Sequence, residues 1–203
     1  FTFMNKKYVA ECVGTFILSF TVFIGVATAL SNASPFAIPL LAGLAMGLCV
    51  YTLGHISGSH LNPAVTLGVL SIKKISEQDA MNYIVAQVIG AGLKIIIAII
   101  FFHHDFSVIL APISSAAFIA EIVGTFIFTF GVASVVYEKI PSSLSGLVIG
   151  GSLSLGIIVA SLSGSAGILN PAVALSIHSA NITYLFAPIV GAYFGMNAYR
   201  KLL

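Results

Sequence analysis

Long stretches of the chain run almost free of charge, and short polar breaks separate them. Apolar spans lie at 8–30, 37–56, 79–102, 117–137, 144–163 and 182–200. Each has the roughly 20 residues that a helix needs to cross a hydrocarbon core about 30 Å thick. The breaks "SNASPF", "KKISEQD", "HHDFSVILAPISS", "EKIPSS" and "HSANIT" carry the Ser, Asn, Pro or charge that marks a loop. Two apolar pieces remain, 62–71 and 170–178. At 1.5 Å per residue each reaches only ~15 Å, about half the membrane. The pattern predicts an all-α membrane protein with six transmembrane helices and two half-length helices.

Charge sharpens this picture. Only 7% of the residues are charged, against roughly a quarter in a soluble domain. Glu11 is the one charge between Tyr8 and Ile72, Lys94 the one between Ala80 and His104, and Glu121 the one between Phe106 and Tyr137. No basic run exists that could grip nucleic acid. Cys12 and Cys49 fall inside apolar spans and read as buried small hydrophobes with no disulfide. The first span could pass for a signal peptide ending at "ATA", but it is longer than an h-region of about 7–15 residues, and it recurs.

That recurrence organises the chain. "AECVGTFILSF" (10–20) matches "AEIVGTFIFTF" (120–130) at eight of eleven positions. Asn62-Pro63-Ala64 returns as Asn170-Pro171-Ala172, 108 residues later. The expected organisation is one channel domain over 1–203, made of repeats at about 8–102 and 117–200. Each repeat has three crossings, an odd number, so the second sits inverted relative to the first. Paired interrupted segments in inverted repeats point to a transport site. Lys6, Lys7, Lys73, Lys74, Lys139, Arg200 and Lys201 all fall at one face when both termini share a side. The positive-inside rule then places both termini in the cytoplasm of a cell-membrane protein.

Asn-Pro is a helix start. Asn caps the first turn, and Pro sits where its missing N–H is not needed. Asn62 and Asn170 should each open a half-helix whose N-terminus meets the other near the midplane. Each end carries about half a positive charge, so the pair repels cations and hydronium. The asparagine amides can also donate to a passing molecule. The preceding loops, "SGSHL" and "SGSAGIL", are rich in Gly and Ser. Irregular backbone at this depth must line a wet path or be buried in protein. Gly58, Ser59, His60 and Leu61, with Ala166, Gly167, Ile168 and Leu169, are therefore the candidate pore-lining loops.

One such motif is merely a capped helix start. Two in inverted halves are specific, and at "GHISGSHLNPAVT", "LNPAV", "AECVGTF" and "AEIVGTF" the chain resembles the aquaporin (major intrinsic protein) family over nearly its whole length. The resemblance implies six spans with two re-entrant half-helices, a homotetramer and one pore per subunit. It also implies a selectivity filter, which usually combines an aromatic, often a histidine, with an arginine directly after the second Asn-Pro-Ala. Here that place is Val173. Counting from the asparagines puts Gly167, Ala42 and Ile158 at the other filter positions. This ring of Ala42, Ile158, Gly167 and Val173 has no charge and no hydrogen-bonding side chain. It implies a wider constriction, and one that could dewet.

The remaining polar residues carry blander readings. Glu11 and Glu121, equivalent in the two repeats, either reach toward water from a helix end or anchor the re-entrant loops. The second is preferred, because a carboxylate inside a span usually has a partner. In the family His60's position faces the pore lining, and no second His or Cys lies at metal-ligand spacing around it. His103 and His104 in a loop, like His60, are candidates for pH gating. Snorkelling toward the headgroups is the default for Lys94.

No residue set supports an enzyme or a cofactor. A secondary transporter would need ionisable groups near the midplane, where only Lys94 is a candidate. A passive pore for water and small uncharged solutes, from glycerol and urea to metalloid acids, fits best. The alternatives are a strictly water-selective pore and a poorly conducting structural or adhesion protein. The expected partners are therefore water, neutral solutes, the lipid bilayer and further copies of the chain.

Overall fold

The computed structural model describes residues 5–28, 34–102 and 111–203. Its helices are α1 (Lys6–Ala27), α2 (Ala37–Ser57), α3 (Pro63–Ser71), α4 (Glu77–Phe102), α5 (Ser115–Val136), α6 (Ser145–Leu162), α7 (Pro171–Ser176) and α8 (Ile182–Lys201). A 3₁₀ turn, Ser142–Leu144, leads into α6. By length and composition α1, α2, α4, α5 and Ser142–Leu162 can cross a membrane. The last long helix, α8, is more polar, with Asn197, Arg200 and Lys201 in its final turns. The second apolar piece is helical over only six residues, shorter than the stretch 170–178 suggests. His178 turns left-handed (φ 57°) and ends it.

The burial pattern is that of a bundle dissolved in lipid. Leu44 on α2 is 72% exposed, while Glu11 and Glu121 are 0% exposed. Leu40, Leu48, Ile96, Ile100, Leu147 and Leu155 also face outward. In hydrocarbon, apolar side chains cost nothing on the outside, and every polar group must find its partner within.

The repeat pairs α1 with α5, α2 with α6, α3 with α7 and α4 with α8. Each half packs its first helix on its second and third equivalents in register: α1 lies on α2 and α4, and α5 on α6 and α8. The half-helices are exchanged. The first repeat's α3 packs on α8, and the second repeat's α7 packs on α4. The halves meet directly where α2 crosses α6. This crossing needs glycine: a Cβ on Gly150 would lie 2.3 Å from the Gly43 carbonyl oxygen. Small residues let backbones approach to that distance. The exchange and the crossing together bring the starts of α3 and α7 to one place.

Candidate functional site

Asn62 and Asn170 precede α3 and α7 in extended backbone, with φ −159° and −148°. The Asn62 Oδ1 accepts from the Ala64 N–H at 2.8 Å. The Asn170 Oδ1 accepts from the N–H groups of Ala172 at 3.0 Å and Val173 at 3.4 Å. The amide nitrogens reach across to the opposite repeat. Asn62 Nδ2 donates to the Leu169 carbonyl at 2.9 Å, and Asn170 Nδ2 donates to the Leu61 carbonyl at 3.0 Å. A primary amide has two N–H donors. One is spent on this reciprocal lock, and the other is left for a molecule in the cavity that both asparagines line.

The loops before them share an unusual backbone. Ser59 and Leu61 have φ 49° and 51°, and their equivalents Gly167 and Leu169 have 65° and 55°. Left-handed non-glycine residues cost on the order of 1 kcal/mol or more each. The buried carboxylates offset that cost. Glu11 accepts from the N–H groups of His60 (2.9 Å) and Leu61 (2.7 Å), from Ser57 Oγ (2.7 Å) and from Gln87 Nε2 (2.7 Å). Glu121 accepts from the N–H groups of Ile168 (2.9 Å) and Leu169 (2.7 Å) and from Ser165 Oγ. Bonds to a charged acceptor contribute ~1.5–3 kcal/mol each, so three or four outweigh two strained residues.

A cavity of about 440 Å³ rises from the two asparagines. Leu18 and Val22 of α1, Met46 of α2, and Leu153 and Ile157 of α6 wall it, and Pro35 and Ile38 border its mouth. Ala42, Gly167 and Val173 lie on the wall, with Ala166 and Ile168 beside them. Among the described residues, three that line it carry polar side chains: Asn62, Asn170 and Ser161. Such a passage can hold a neutral molecule and hydrogen-bond it at a few points, and none of its described lining residues is a counter-ion for a charge.

Residues 2–199 match the Major intrinsic protein family. The chain belongs to that family. It is 37% identical to Glycerol uptake facilitator protein-like 6 of Lactiplantibacillus plantarum, over 92% of this chain and 93% of the relative. Aquaporin NIP1-1 of Arabidopsis thaliana is 31% identical over 97% of this chain and 73% of its own length. Aquaporin AqpM of Methanothermobacter marburgensis is 30% identical over 98% of both. The X-ray structure of the aquaglyceroporin from Plasmodium falciparum superposes with a TM-score of 0.71, at 23% identity over 97% of this chain and 94% of that one, which establishes the shared fold. The protein is a multi-pass membrane channel for water and small neutral solutes, and not an enzyme.

Several positions of this major intrinsic protein differ from the expectation. Where Ile158 is expected to complete the ring, Ile157 stands on the cavity wall. The rotation of α6 buries Ile157 against Gly167, whereas Ile158 is only partly buried. Counting back from Asn170 through an irregular loop could not set that rotation. The Leu169 side chain packs into the gap between Gly124 and Gly156, while its carbonyl accepts from Asn62 Nδ2. Gly58, Ser59, His60 and Leu61 lie outside this cavity, which ends at the asparagines. Thr66 Oγ1 instead pairs with His60 Nδ1 at 3.2 Å, accepts from Gln87 Nε2 at 3.0 Å and lies 3.1 Å from the Asn62 carbonyl.

Lys94 does not snorkel. It is 2% exposed, donates to the Ser176 carbonyl at 2.6 Å and lies 4.0 Å from the centroid of the Phe23 ring. Its charge thus meets the partly negative C-terminal end of α7. Cys12 and Cys49 are buried and unbridged. His103 and His104 lie outside the described residues.

Two further pairs hold the re-entrant loops, Ser57 with Ser165 and Tyr83 with Tyr184. The serines bond the two carboxylates and stand 108 residues apart, the offset of the asparagines, so the repeat itself could have found them. Tyr83 donates to the Ser57 carbonyl at 2.7 Å, and Tyr184 Oη accepts from the Ala166 N–H at 3.1 Å.

Proposed function

We propose that the chain is a passive pore whose filter is Ala42, Ile157, Gly167 and Val173, and that it passes uncharged solutes of glycerol or urea size along with water. One observation carries this reading: the cavity wall beyond the asparagines holds valine where a filter arginine would stand, and side chains of low polarity around it. An arginine there would fill space and present fixed donors. Valine leaves a wider and less polar passage. The resemblance to a glycerol uptake facilitator-like protein supports the same solute class.

Protons and ions are excluded by the paired half-helix ends and the two outward-facing amides, as in aquaporin-type pores generally. The pore lies within a single domain of two inverted repeats. The protein sits in the cell membrane with both termini cytoplasmic, as the cluster of Lys and Arg at one end of the bundle favours. It works as a homotetramer with one pore in each copy.

Stopped-flow swelling of vesicles loaded with the purified protein tests the reading. Water, glycerol and urea permeabilities should all rise well above the lipid background, while an imposed pH gradient persists. A water-only response would restore the strictly water-selective alternative. No response to any solute would favour the structural one.

A further inference from the structure

We infer that Ser161, outside the predicted filter ring, is the residue that selects hydroxylated solutes in this pore. The inference rests on the wide, apolar filter proposed above and follows from a census of donors. The loop that forms one wall has no free N–H to offer. Ala166 N–H goes to Tyr184 Oη at 3.1 Å, Gly167 N–H to Ser165 Oγ at 3.0 Å, and those of Ile168 and Leu169 to Glu121 at 2.9 and 2.7 Å. Toward the cavity this wall can present carbonyl acceptors only. Val173 adds no donor where an arginine would supply several. Among the described residues, the Ser161 hydroxyl is the one side-chain donor on the cavity wall between the mouth and the asparagines.

Its position suits the task. Ser161 stands one helical turn after Ile157 on α6 and is exposed. Its Oγ lies so close to Gly167 that a Cβ on that glycine would come within 2.4 Å of it. Gly167 also has φ 65°, a backbone that favours glycine, and its missing side chain is what uncovers the Ser161 hydroxyl. A solute hydroxyl at this level can donate to a loop carbonyl and accept from Ser161 together. That replaces the two kinds of hydrogen bond it gives up on leaving water. A polyol has several hydroxyls to desolvate and depends on the donor most. Water, smaller and able to pass with its neighbours still bonded, depends on it less.

The test is paired water and glycerol permeability of vesicles carrying the natural protein, Ser161→Ala, Ser161→Cys or Ser161→Thr. One neutral hydrogen bond is worth roughly a threefold to tenfold effect. Ser161→Ala should lower glycerol permeability by that factor while water permeability holds or rises, since the substitution only widens the passage. Ser161→Cys, similar in size but a weak donor, should behave like Ser161→Ala. Ser161→Thr, which keeps the hydroxyl, should retain most glycerol flux. A merely spatial role would move water and glycerol in the same direction. Glycerol flux that is present in the natural protein and undiminished in Ser161→Ala overturns the inference alone. Absence of glycerol flux in the natural protein overturns the wide-filter reading and this inference with it.

Discussion

Val173 and Glu121 show how much rests on single side chains. The valine stands at the third position of α7, held there by a half-helix whose cap is Asn170 and whose far end meets Lys94. Val173→Arg should narrow the passage and return a fixed cationic donor. We expect glycerol permeability to fall roughly tenfold, within the range that pocket shape commands, and water permeability to fall less. Unchanged glycerol flux in a folded, inserted variant would remove Val173 from the filter. Glu121→Gln keeps the shape but loses the charge, and it sets an amide N–H against the N–H of Ile168 or Leu169. Charge-assisted bonds weaken and one donor is left facing a donor, a loss of about 2–4 kcal/mol. Thermal unfolding in detergent should show a clearly lowered midpoint, and a midpoint equal to that of the natural protein would contradict the anchoring role.

At the scale of elements, the decisive contacts are backbone to backbone. Gly150 and Gly43 set the distance between α2 and α6. Gly150→Ala pushes a Cβ into a carbonyl that belongs to a helix and cannot swing away. Gly151, its neighbour, has nothing within 4 Å of its would-be Cβ. Gly151→Ala should therefore be neutral or gain up to ~1 kcal/mol of helix propensity, while Gly150→Ala should lower the yield of folded protein sharply. Equal thermal stability of the two variants would dismiss the close crossing. The half-helices depend on elements of the opposite repeat in the same way. α3 leans on α8, with Asn197 Nδ2 donating to Ser71 Oγ at 2.8 Å, and α7 leans on α4 through Lys94. Neither half is complete without the other.

Taken whole, the molecule hides polarity and shows hydrocarbon. Its outward leucines and isoleucines suit lipid or another copy of itself. The tetramer proposed for it should appear as four chains by native mass measurement in mild detergent, and a monomer that retains full water permeability after reconstitution would count against it. Water flux should also show a weak temperature dependence, because molecules exchange hydrogen bonds along the pore without being stripped to enter lipid.

The sequence by itself determined the class of the fold and the place of its active half-helices. Apolar spans, Asn-Pro caps and paired glutamates are local or repeated signals, and the hydrocarbon solvent leaves helices as the one way to satisfy their backbone. Hydropathy also marked two pieces too short to cross, which no soluble pattern explains. The tertiary structure decided what depends on rotation and depth. Ile157 rather than Ile158 faces the cavity because α6 packs on α2 through glycines, and that contact lies far in sequence from Asn170. Lys94 turns inward because the end of α7, 82 residues away in the chain, supplies a carbonyl. Leu61 and Leu169 adopt a backbone that their side chains disfavour, because Glu11 and Glu121 hold their N–H groups from other helices. Ser161 gained its place in the same way: a lone serine near a helix end says nothing until a glycine of positive φ comes to rest beside it.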